Sequence, residues 1–218
     1  SDTLDVNLGA VLGGISVDLS SETNQVASMD GGAISGTVLG FEDVDLSGYT
    51  GFGAVVQAIK TGSTITGTDS TDRITGGASA DTIVMTAGND VVSTGGGNDT
   101  IKATVALLAG HSETTATIDG GTGTNVIELT GAVGDTDIAD ADFARITLVQ
   151  TLQLAAGGND EVVLSTNANS AGIVTVKGGA GDDLVTVNTS LTSYQGGGGA
   201  DVVTLAAAET GGLTITNL

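Results

Sequence analysis

Residues 67–102 consist of a nine-residue block that occurs four times in succession. Read from Gly67, the blocks are GTDSTDRIT, GGASADTIV, MTAGNDVVS and TGGGNDTIK. The sixth place always holds aspartate, at Asp72, Asp81, Asp90 and Asp99. The eighth place always holds an aliphatic residue, at Ile74, Ile83, Val92 and Ile101. A short fixed period predicts a solenoid, because each repeat then forms an equivalent part of a coil.

The same block returns later in the chain as GGAGDDLVT at 178–186 and GGGGADVVT at 196–204. Its aspartates, Asp183 and Asp201, are two periods apart. The intervening VNTSLTSYQ has lost the aspartate but keeps Tyr194 in the eighth place. Weaker copies are GGTGTNVIE at 120–128, with Asn125 in the Asp place, and AAGGNDEVV at 155–163, with Asp160. The period therefore extends over much of the second half.

The block has a simple physical interpretation. Glycines at its first, second and fourth places allow the positive φ angles of a tight turn. Its last three residues suit a short strand whose eighth side chain points inward. Two blocks then make one coil of 18 residues, so turns that are 18 residues apart stack on one edge. The predicted stacked pairs are Asp72 with Asp90, Asp81 with Asp99, and Asp183 with Asp201.

Stacked turns about 4.8 Å apart would bring carboxylates and backbone carbonyls close together. This arrangement is repulsive unless a cation is present. Ca²⁺ suits it because it takes about six to eight oxygen ligands and accepts carbonyls as well as carboxylates, whereas Mg²⁺ requires a stricter octahedron. The excess of 20 Asp over 6 Glu agrees, since the short Asp side chain reaches an ion near its own turn. The alternative is that Gly and Asp mark ordinary solvent-facing turns.

The block follows the pattern GGxGxDxUx, in which U is aliphatic, and the sequence resembles the RTX calcium-binding repeat family. The resemblance covers residues 67–102 and, less continuously, 118–204. It implies an all-β fold, a parallel β-roll or β-solenoid with calcium ions stacked between turns, here interleaved with irregular β segments. It also implies type I secretion, with an uncleaved C-terminal signal beyond Leu218. The composition is most similar to that of bacterial RTX S-layer and large secreted surface proteins.

Carried onto this sequence, the family pattern implies calcium ligands at the repeat aspartates and in the turns beside them. The aspartates are Asp72, Asp81, Asp90, Asp99, Asp160, Asp183 and Asp201. The turn residues of the first region are Gly76, Gly77, Gly88, Asn89, Gly95, Gly97 and Asn98. Those of the second region are Gly178, Gly179, Gly181, Asp182, Gly196, Gly197 and Gly199.

Composition excludes several classes of protein. Of the 218 residues, only five are Lys or Arg, and the formal net charge is −21, so a basic nucleic-acid-binding surface is excluded. Without Cys there are no disulfides or thiolate metal sites. No apolar run approaches the length of a membrane span of about 20 residues. Charge repulsion and a thin core predict a chain that is loose until calcium binds.

The remaining segments predict further rungs of the coil. Short alternating runs lie at 15–19, 44–46, 126–129, 148–154 and 173–176. We therefore expect a β-rich segment at 1–66 that continues a solenoid, a β-roll block at 67–102, and a solenoid at 103–218 with degenerate and then regular repeats. Residues 53–60 or 103–110 are candidates for a short helix, and Asp140 or Asp142 for the cap of a turn at 143–146. The two ends look like cuts from a longer chain.

Other candidate sites fail on inspection. The acidic run Asp135, Asp137, Asp140 and Asp142 lacks the EF-hand residues, because Asp140 and Ile146 stand where that loop needs Gly and Glu. His111 is the single histidine, so a two-histidine zinc site is impossible. No GxSxG motif is present, and we expect no catalysis.

Two functional hypotheses remain open. In the first, the chain is a calcium-dependent structural protein of the bacterial cell surface, an S-layer or extracellular matrix subunit that associates with itself. Cell-surface polysaccharide is a further candidate partner. In the second, it is the secretion and folding module of a type I-secreted exoenzyme, toxin or adhesin. Such modules usually carry longer uninterrupted arrays than the four copies at 67–102.

Overall fold

The computed structural model describes residues 1–7, 9–10, 12–33, 37–111, 116–131, 137–188, 191–205 and 212–217. The chain divides into two compact units. Unit 1 contains Ser1–Ile101 and Thr115–Gly123, and unit 2 contains Lys102–Thr114 and Thr124–Leu218. Within the described parts of both units, short strands predominate over helices. No described helix combines the length and the apolar composition needed to cross a membrane.

Unit 1 is a coil of short strands arranged in two parallel-rich sheets. Its strands are β1 (Thr3–Asp5), β2 (Gly9–Ala10), β3 (Ile15–Asp18), β4 (Val26–Met29), β5 (Gly32–Ala33), β6 (Asp43–Asp45), β7 (Tyr49–Thr50), β8 (Ala54–Gln57), β9 (Thr64–Thr66), β10 (Arg73–Thr75), β11 (Thr82–Val84), β12 (Val91–Ser93), the first half of β13 (Thr100–Ala103), and β14 (Thr117–Asp119). One sheet has the order β1-β6-β9-β11-β13 and the other β14-β12-β10-β8-β3-β4-β5. Strands β2 and β7 form a separate pair.

The register of these sheets follows the sequence period. Ile65 pairs with Ile83 and Ile74 with Val92, each 18 residues apart. Each of these side chains is buried, so one aliphatic residue per strand fills the interior. The segment before the repeats joins the same sheets, since β6 pairs with β9 and β8 pairs with β10. The parallel β-roll expected from the nonapeptides is therefore confirmed.

Unit 2 is built in the same way with longer coils. Its elements are the second half of β13, α1 (Val105–His111), β15 (Val126–Leu129), β16 (Asp137–Ile138), a 3₁₀ helix (Asp140–Phe143), β17 (Ile146–Thr147), β18 (Thr151–Gln153), β19 (Glu161–Leu164), α2 (Thr166–Ala171), β20 (Thr175–Ala180), β21 (Leu184–Val187), β22 (Ser193–Gly198), β23 (Val202–Leu205) and β24 (Thr214–Thr216). One sheet runs β13-β15-β18-β20-β22-β24, and the other β16-β19-β21-β23. The spacing of paired residues falls from 25 at Val126 and Thr151 to 18 at Thr175 and Ser193.

The two helix expectations have different outcomes. The one at 103–110 is confirmed by α1 (Val105–His111), but the one at 53–60 is wrong, because Ala54–Gln57 forms β8. In β8 the side chains alternate between buried and more accessible, and Val56 pairs with Ile74 in the core. Alternation with a period of two, and not helix propensity, decides this segment.

In the acidic run at 135–142, Asp140 and Asp142 serve helix ends, whereas Asp137 begins strand β16. The Asp142 carboxylate accepts a hydrogen bond from the Ala139 N–H at 2.9 Å and caps the 3₁₀ helix. The Asp140 carboxylate accepts three backbone N–H groups at the start of α2, those of Ser165, Asn167 and Ala168. Asp135 lies outside the described residues. Both interactions are cap interactions of the kind that carboxylates make with unpaired helix N–H groups.

The stacked aliphatic column generates a stability prediction. Replacing Ile83 with Ala removes a fully buried side chain that is stacked on Ile65. The change should lower the free energy of unfolding of the calcium-loaded protein by about 2–5 kcal/mol. Thr82→Ala, in the same strand but on the outer face, should cost less than about 1 kcal/mol. Urea unfolding in excess calcium measures both. Equal losses would contradict a core made of one inward residue per strand.

Candidate metal centre

The repeat aspartates form ladders along the edges of the coils. In each case the Oδ1 atom accepts a hydrogen bond from a backbone N–H one coil earlier. In unit 1 the donors and acceptors are Ala54 and Asp72 (2.6 Å), Ser63 and Asp81 (2.7 Å), Asp72 and Asp90 (2.9 Å), and Asp81 and Asp99 (2.8 Å). In unit 2 they are Asp160 and Asp183, and Asp183 and Asp201, both at 3.0 Å. The predicted stacking of all three aspartate pairs is confirmed.

Two opposite edges of unit 1 carry these ladders. Asp72 and Asp90 precede β10 and β12 of one sheet, whereas Asp81 and Asp99 precede β11 and β13 of the other. The described residues of unit 2 hold one such ladder, formed by Asp160, Asp183 and Asp201, which precede β19, β21 and β23. The structure therefore brings the seven predicted aspartates together as two pairs and one row of three.

The second carboxylate oxygen of several aspartates fills the space that a side chain would take at the first place of the block. Asp183 Oδ2 lies 2.6 Å from where a Cβ of Gly178 would stand, and the Gly196 carbonyl oxygen lies closer still. The same point at Gly76 is approached by Asp81 Oδ2 at 2.8 Å and by the Thr94 carbonyl oxygen. A carboxylate oxygen and a carbonyl oxygen of the next coil therefore converge where glycine leaves room.

At Gly196 the converging oxygens are Asp201 Oδ2 and the Asn217 carbonyl. Asn217 was not predicted, because a carbonyl contribution leaves no trace in side-chain identity. Thr68 was also missed, because it occupies a place of the first block where the repeat pattern has glycine. Its N–H and its hydroxyl both donate to the Asp72 carboxylate, at 2.7 and 2.8 Å, and close that turn.

The other predicted glycines are places where backbones of successive coils approach closely. A Cβ there would collide with a backbone carbonyl or neighbouring backbone atom of another coil; the positions are Gly77, Gly88, Gly95, Gly97, Gly179, Gly181, Gly197 and Gly199. Gly97 and Gly199, at the fourth place, also have φ angles of +122° and +118°. Only glycine combines this backbone conformation with so close an approach.

The fifth-place residues Asn89, Asn98 and Asp182 are exposed on the outside of the turns. Asp182 links three coils, since its N–H donates to Asn159 Oδ1 and its Oδ1 accepts from the Ala200 N–H, both at 2.8 Å. The Asn89 N–H donates to Thr71 Oγ1 at 3.4 Å. Their observed contacts tie turn to turn, and their metal ligation stays a prediction.

Asn125, in the aspartate place of the weaker block, behaves differently from the aspartates. Its side-chain amide donates a hydrogen bond to the Leu148 carbonyl at 3.0 Å, and its backbone N–H donates to Gln150 Oε1 at 2.7 Å. A carboxylate could not donate the first of these bonds. This turn is therefore held by neutral hydrogen bonds and needs no cation.

Four of the buried repeat aspartates, Asp72, Asp81, Asp90 and Asp183, form no ion pair with a described residue. The ion pair that the described residues do show joins Lys102 and Glu128, at 3.5 Å. Burial raises the pKa of Asp72, Asp81 and Asp183, against the effect of their backbone hydrogen bonds. For Asp90, burial and then the charge of Asp72 raise the pKa to about 7. Burial in this fold therefore disfavours the negative charge of these four carboxylates.

The donor set fits a hard cation. Oδ2 of Asp183 and Oδ2 of Asp201 are buried and have no hydrogen-bond partner, and each lies beside a carbonyl oxygen. Among the described residues no three His, Cys, Asp or Glu side chains converge on one point, so the carbonyls belong to the donor set. Calcium accepts mixed carboxylate and carbonyl oxygens and supplies the positive charge that these turns lack.

Comparison with known proteins agrees with this geometry. The model of the RTX calcium-binding nonapeptide repeat (4 copies) matches residues 66–101 and 170–188. Neither the comparison with curated proteins nor that with solved structures finds a match. The matched segments hold Asp72, Asp81, Asp90, Asp99 and Asp183. Asp201 lies outside them, but its Oδ1 repeats the contact of Asp183 one coil on.

A matched pair of glycine variants tests the oxygen clusters. In Gly178→Ala the new Cβ would collide with Asp183 Oδ2 and with the Gly196 carbonyl oxygen. We therefore expect the calcium affinity of the site between turns 178–183 and 196–201 to fall about 10- to 100-fold. Gly157→Ala, in the preceding turn, meets no atom within 4 Å and should bind calcium as the wild type does. Calorimetric calcium titration measures both. Equal affinities in the two variants would contradict the assignment.

The raised carboxyl pKa values predict a pH dependence of the metal-free protein. These carboxyl groups hold protons more tightly in the folded chain than in the unfolded chain. Their protonation therefore stabilises the fold fully below the unfolded pKa of 3.8. This stabilisation is lost as pH rises through the folded pKa, which is about 7 for Asp90. In chelator, the strand signal in circular dichroism should therefore grow as pH falls from about 8 to about 5. Asp90→Asn should flatten this dependence. A strand signal that weakens over the same fall in pH would contradict the prediction.

Proposed function

This chain carries RTX calcium-binding nonapeptide repeats, and we propose that it is a structural protein of the bacterial cell surface that folds and assembles on extracellular calcium. The repeats bind Ca²⁺, and such repeats are typical of extracellular, secreted proteins. The observation that carries the proposal is the stacking of buried carboxylates, among which Asp72, Asp81, Asp90 and Asp183 form no ion pair with a described residue. Their charge makes the fold depend on a cation.

Calcium-dependent folding follows from the energetics of these turns. The aspartates hold one coil to the next through backbone N–H groups, but the same contacts bring like charges together in a buried edge. A ligand that binds the folded chain and not the unfolded chain adds its binding free energy to stability. Extracellular calcium modules bind at about 10⁻⁴–10⁻³ M, so the chain would stay loose in a low-calcium cytoplasm and fold outside the cell.

A structural role is supported by the way calcium turns and other rungs share the same sheets. In unit 1 the strands β8 and β9, which precede the repeats, pair in register with the repeat strands β10 and β11, and β3 and β6 pair in turn with β8 and β9. In unit 2, β23 and β24 are the outer strands of their sheets, and they expose Val202 (53%), Leu205 (49%) and Ile215 (38%). Exposed apolar side chains on outer strands favour association with another strand-bearing surface, and we propose a second copy of this chain.

We expect no catalysis by this chain, because its sites are oxygen clusters of turns without an identifiable nucleophile or general base. Calcium here stabilises a scaffold. The proposal places the protein in a surface lattice or extracellular fibre, in which folding and assembly occur together once the chain reaches calcium.

Circular dichroism and particle size, measured against calcium concentration, test the proposal. We expect the strand spectrum to be lost in EGTA and restored by millimolar Ca²⁺, with Mg²⁺ at the same concentration much less effective. Particle size should grow over the same range of calcium.

Two results would contradict the proposal in different ways. A strand spectrum unchanged by EGTA would contradict calcium-dependent folding. Calcium-dependent folding without growth in particle size would contradict self-assembly and favour a monomeric secretion module instead.

A further inference from the structure

Tyr194 places a phenol in a core column that is otherwise aliphatic. It lies in β22, where it pairs with Val176 of β20 and Ile215 of β24, and its side chain is fully buried. Its hydroxyl oxygen is buried and has no hydrogen-bond partner. A buried polar group without a partner is destabilising, so a hydroxyl here needs a reason that packing does not supply.

Two carboxylate oxygens lie on the same inner face. Along β22, Tyr194 and Gly196 both face inward, and along β20 so do Val176 and Gly178. The inward space at Gly196 is filled by Asp201 Oδ2 and that at Gly178 by Asp183 Oδ2. The Tyr194 ring therefore occupies the inward place next to these oxygens, which are themselves buried and without hydrogen-bond partners.

A tyrosine hydroxyl is a hydrogen-bond donor, and ionised carboxylate oxygens can only accept. The ordinary pKa of tyrosine is about 10, so the hydroxyl carries its proton near pH 7. A neutral hydroxyl can donate to a carboxylate without adding charge. Tyr49, the other tyrosine, is different: its hydroxyl donates to the Gly13 carbonyl at 2.5 Å and accepts from the Asp30 N–H at 3.1 Å.

We propose that Tyr194 is a positioning residue for the calcium site of the Asp183–Asp201 pair. In the calcium-loaded protein its hydroxyl donates on the core side of this carboxylate pair and holds the carboxylates in the orientation that binds the cation. Occupancy of this site is thereby coupled to the packing of β22 in the core. The inference rests on calcium binding by the repeats and not on the proposed surface role.

Tyrosine-sensitised terbium luminescence tests the proximity. The chain has no Trp and two Tyr, so in Tyr49→Phe the only strong sensitiser is Tyr194. Tb³⁺ replaces Ca²⁺ at oxygen sites, and we expect strong emission on tyrosine excitation in Tyr49→Phe, displaced by added calcium. Terbium that binds under direct excitation but gives no sensitised emission would overturn the proposal. Absence of any metal binding in the wild type would instead contradict calcium binding itself.

A double-mutant cycle tests the positioning role. Tyr194→Phe keeps the ring and removes the hydroxyl, and it should weaken calcium binding at this site about tenfold. In the Asp201→Asn background the same change should have almost no further effect, whereas in the Asp90→Asn background, in unit 1, the full tenfold loss should remain. Equal losses in both backgrounds would indicate a general packing effect and overturn the proposal. Should Tyr194→Phe not fold, the terbium experiment in Tyr49→Phe still decides.

Discussion

The hydrogen bond from a backbone N–H to the aspartate carboxylate one coil on is the interaction on which the rest of the structure depends. It fixes the register of successive turns, since each Oδ1 reaches a single N–H of the neighbouring coil. It also lines up buried carboxylates on the coil edges, and those of Asp72, Asp81, Asp90 and Asp183 form no ion pair with a described residue. The same contact therefore specifies the coil and creates the charge that a cation must compensate. Fold and calcium binding are two consequences of one arrangement.

The core explains why so few aromatic residues suffice. Each three-residue strand of the repeat block contributes one inward aliphatic side chain, and the columns formed by Ile65 and Ile83, and by Ile74 and Val92, are almost fully buried. The cross-section of such a coil is set by pairs of facing strands, and a larger side chain has little room in it. Tyr194 is an exception in unit 2, and it shares its inward face with Gly196, where Asp201 Oδ2 takes the place of a side chain. A thin core of this kind gives limited stability, which increases the dependence on the edges.

The sequence predicted those parts of the molecule that repeat, and failed where a contact depends on distant residues. The stacking of Asp72 with Asp90 followed from the nine-residue period. The helix expected at 53–60 was wrong because pairing of Val56 with Ile74 in the coil overrides local propensity. The role of Asp140 at the start of α2 could not be predicted, because its partners lie 25 to 28 residues along the chain. The part played by a backbone carbonyl oxygen, such as that of Asn217, could not be predicted from side chains, because every residue has a carbonyl.

The spacing within unit 2 shows which part of the pattern is essential. Asp183 and Asp201 are 18 residues apart, but Asp160 and Asp183 are 23 apart, and the carboxylate contact is the same in both cases at 3.0 Å. The longer coil accommodates its extra residues in the region of α2, between β19 and β20. The nine-residue period is thus one way to bring successive turns into contact, and a coil of another length serves equally if its turn ends in the same aspartate. Rungs of unequal length can therefore alternate with calcium turns in a single roll. The outer surface of such a protein can then vary while its cation-binding edge stays constant.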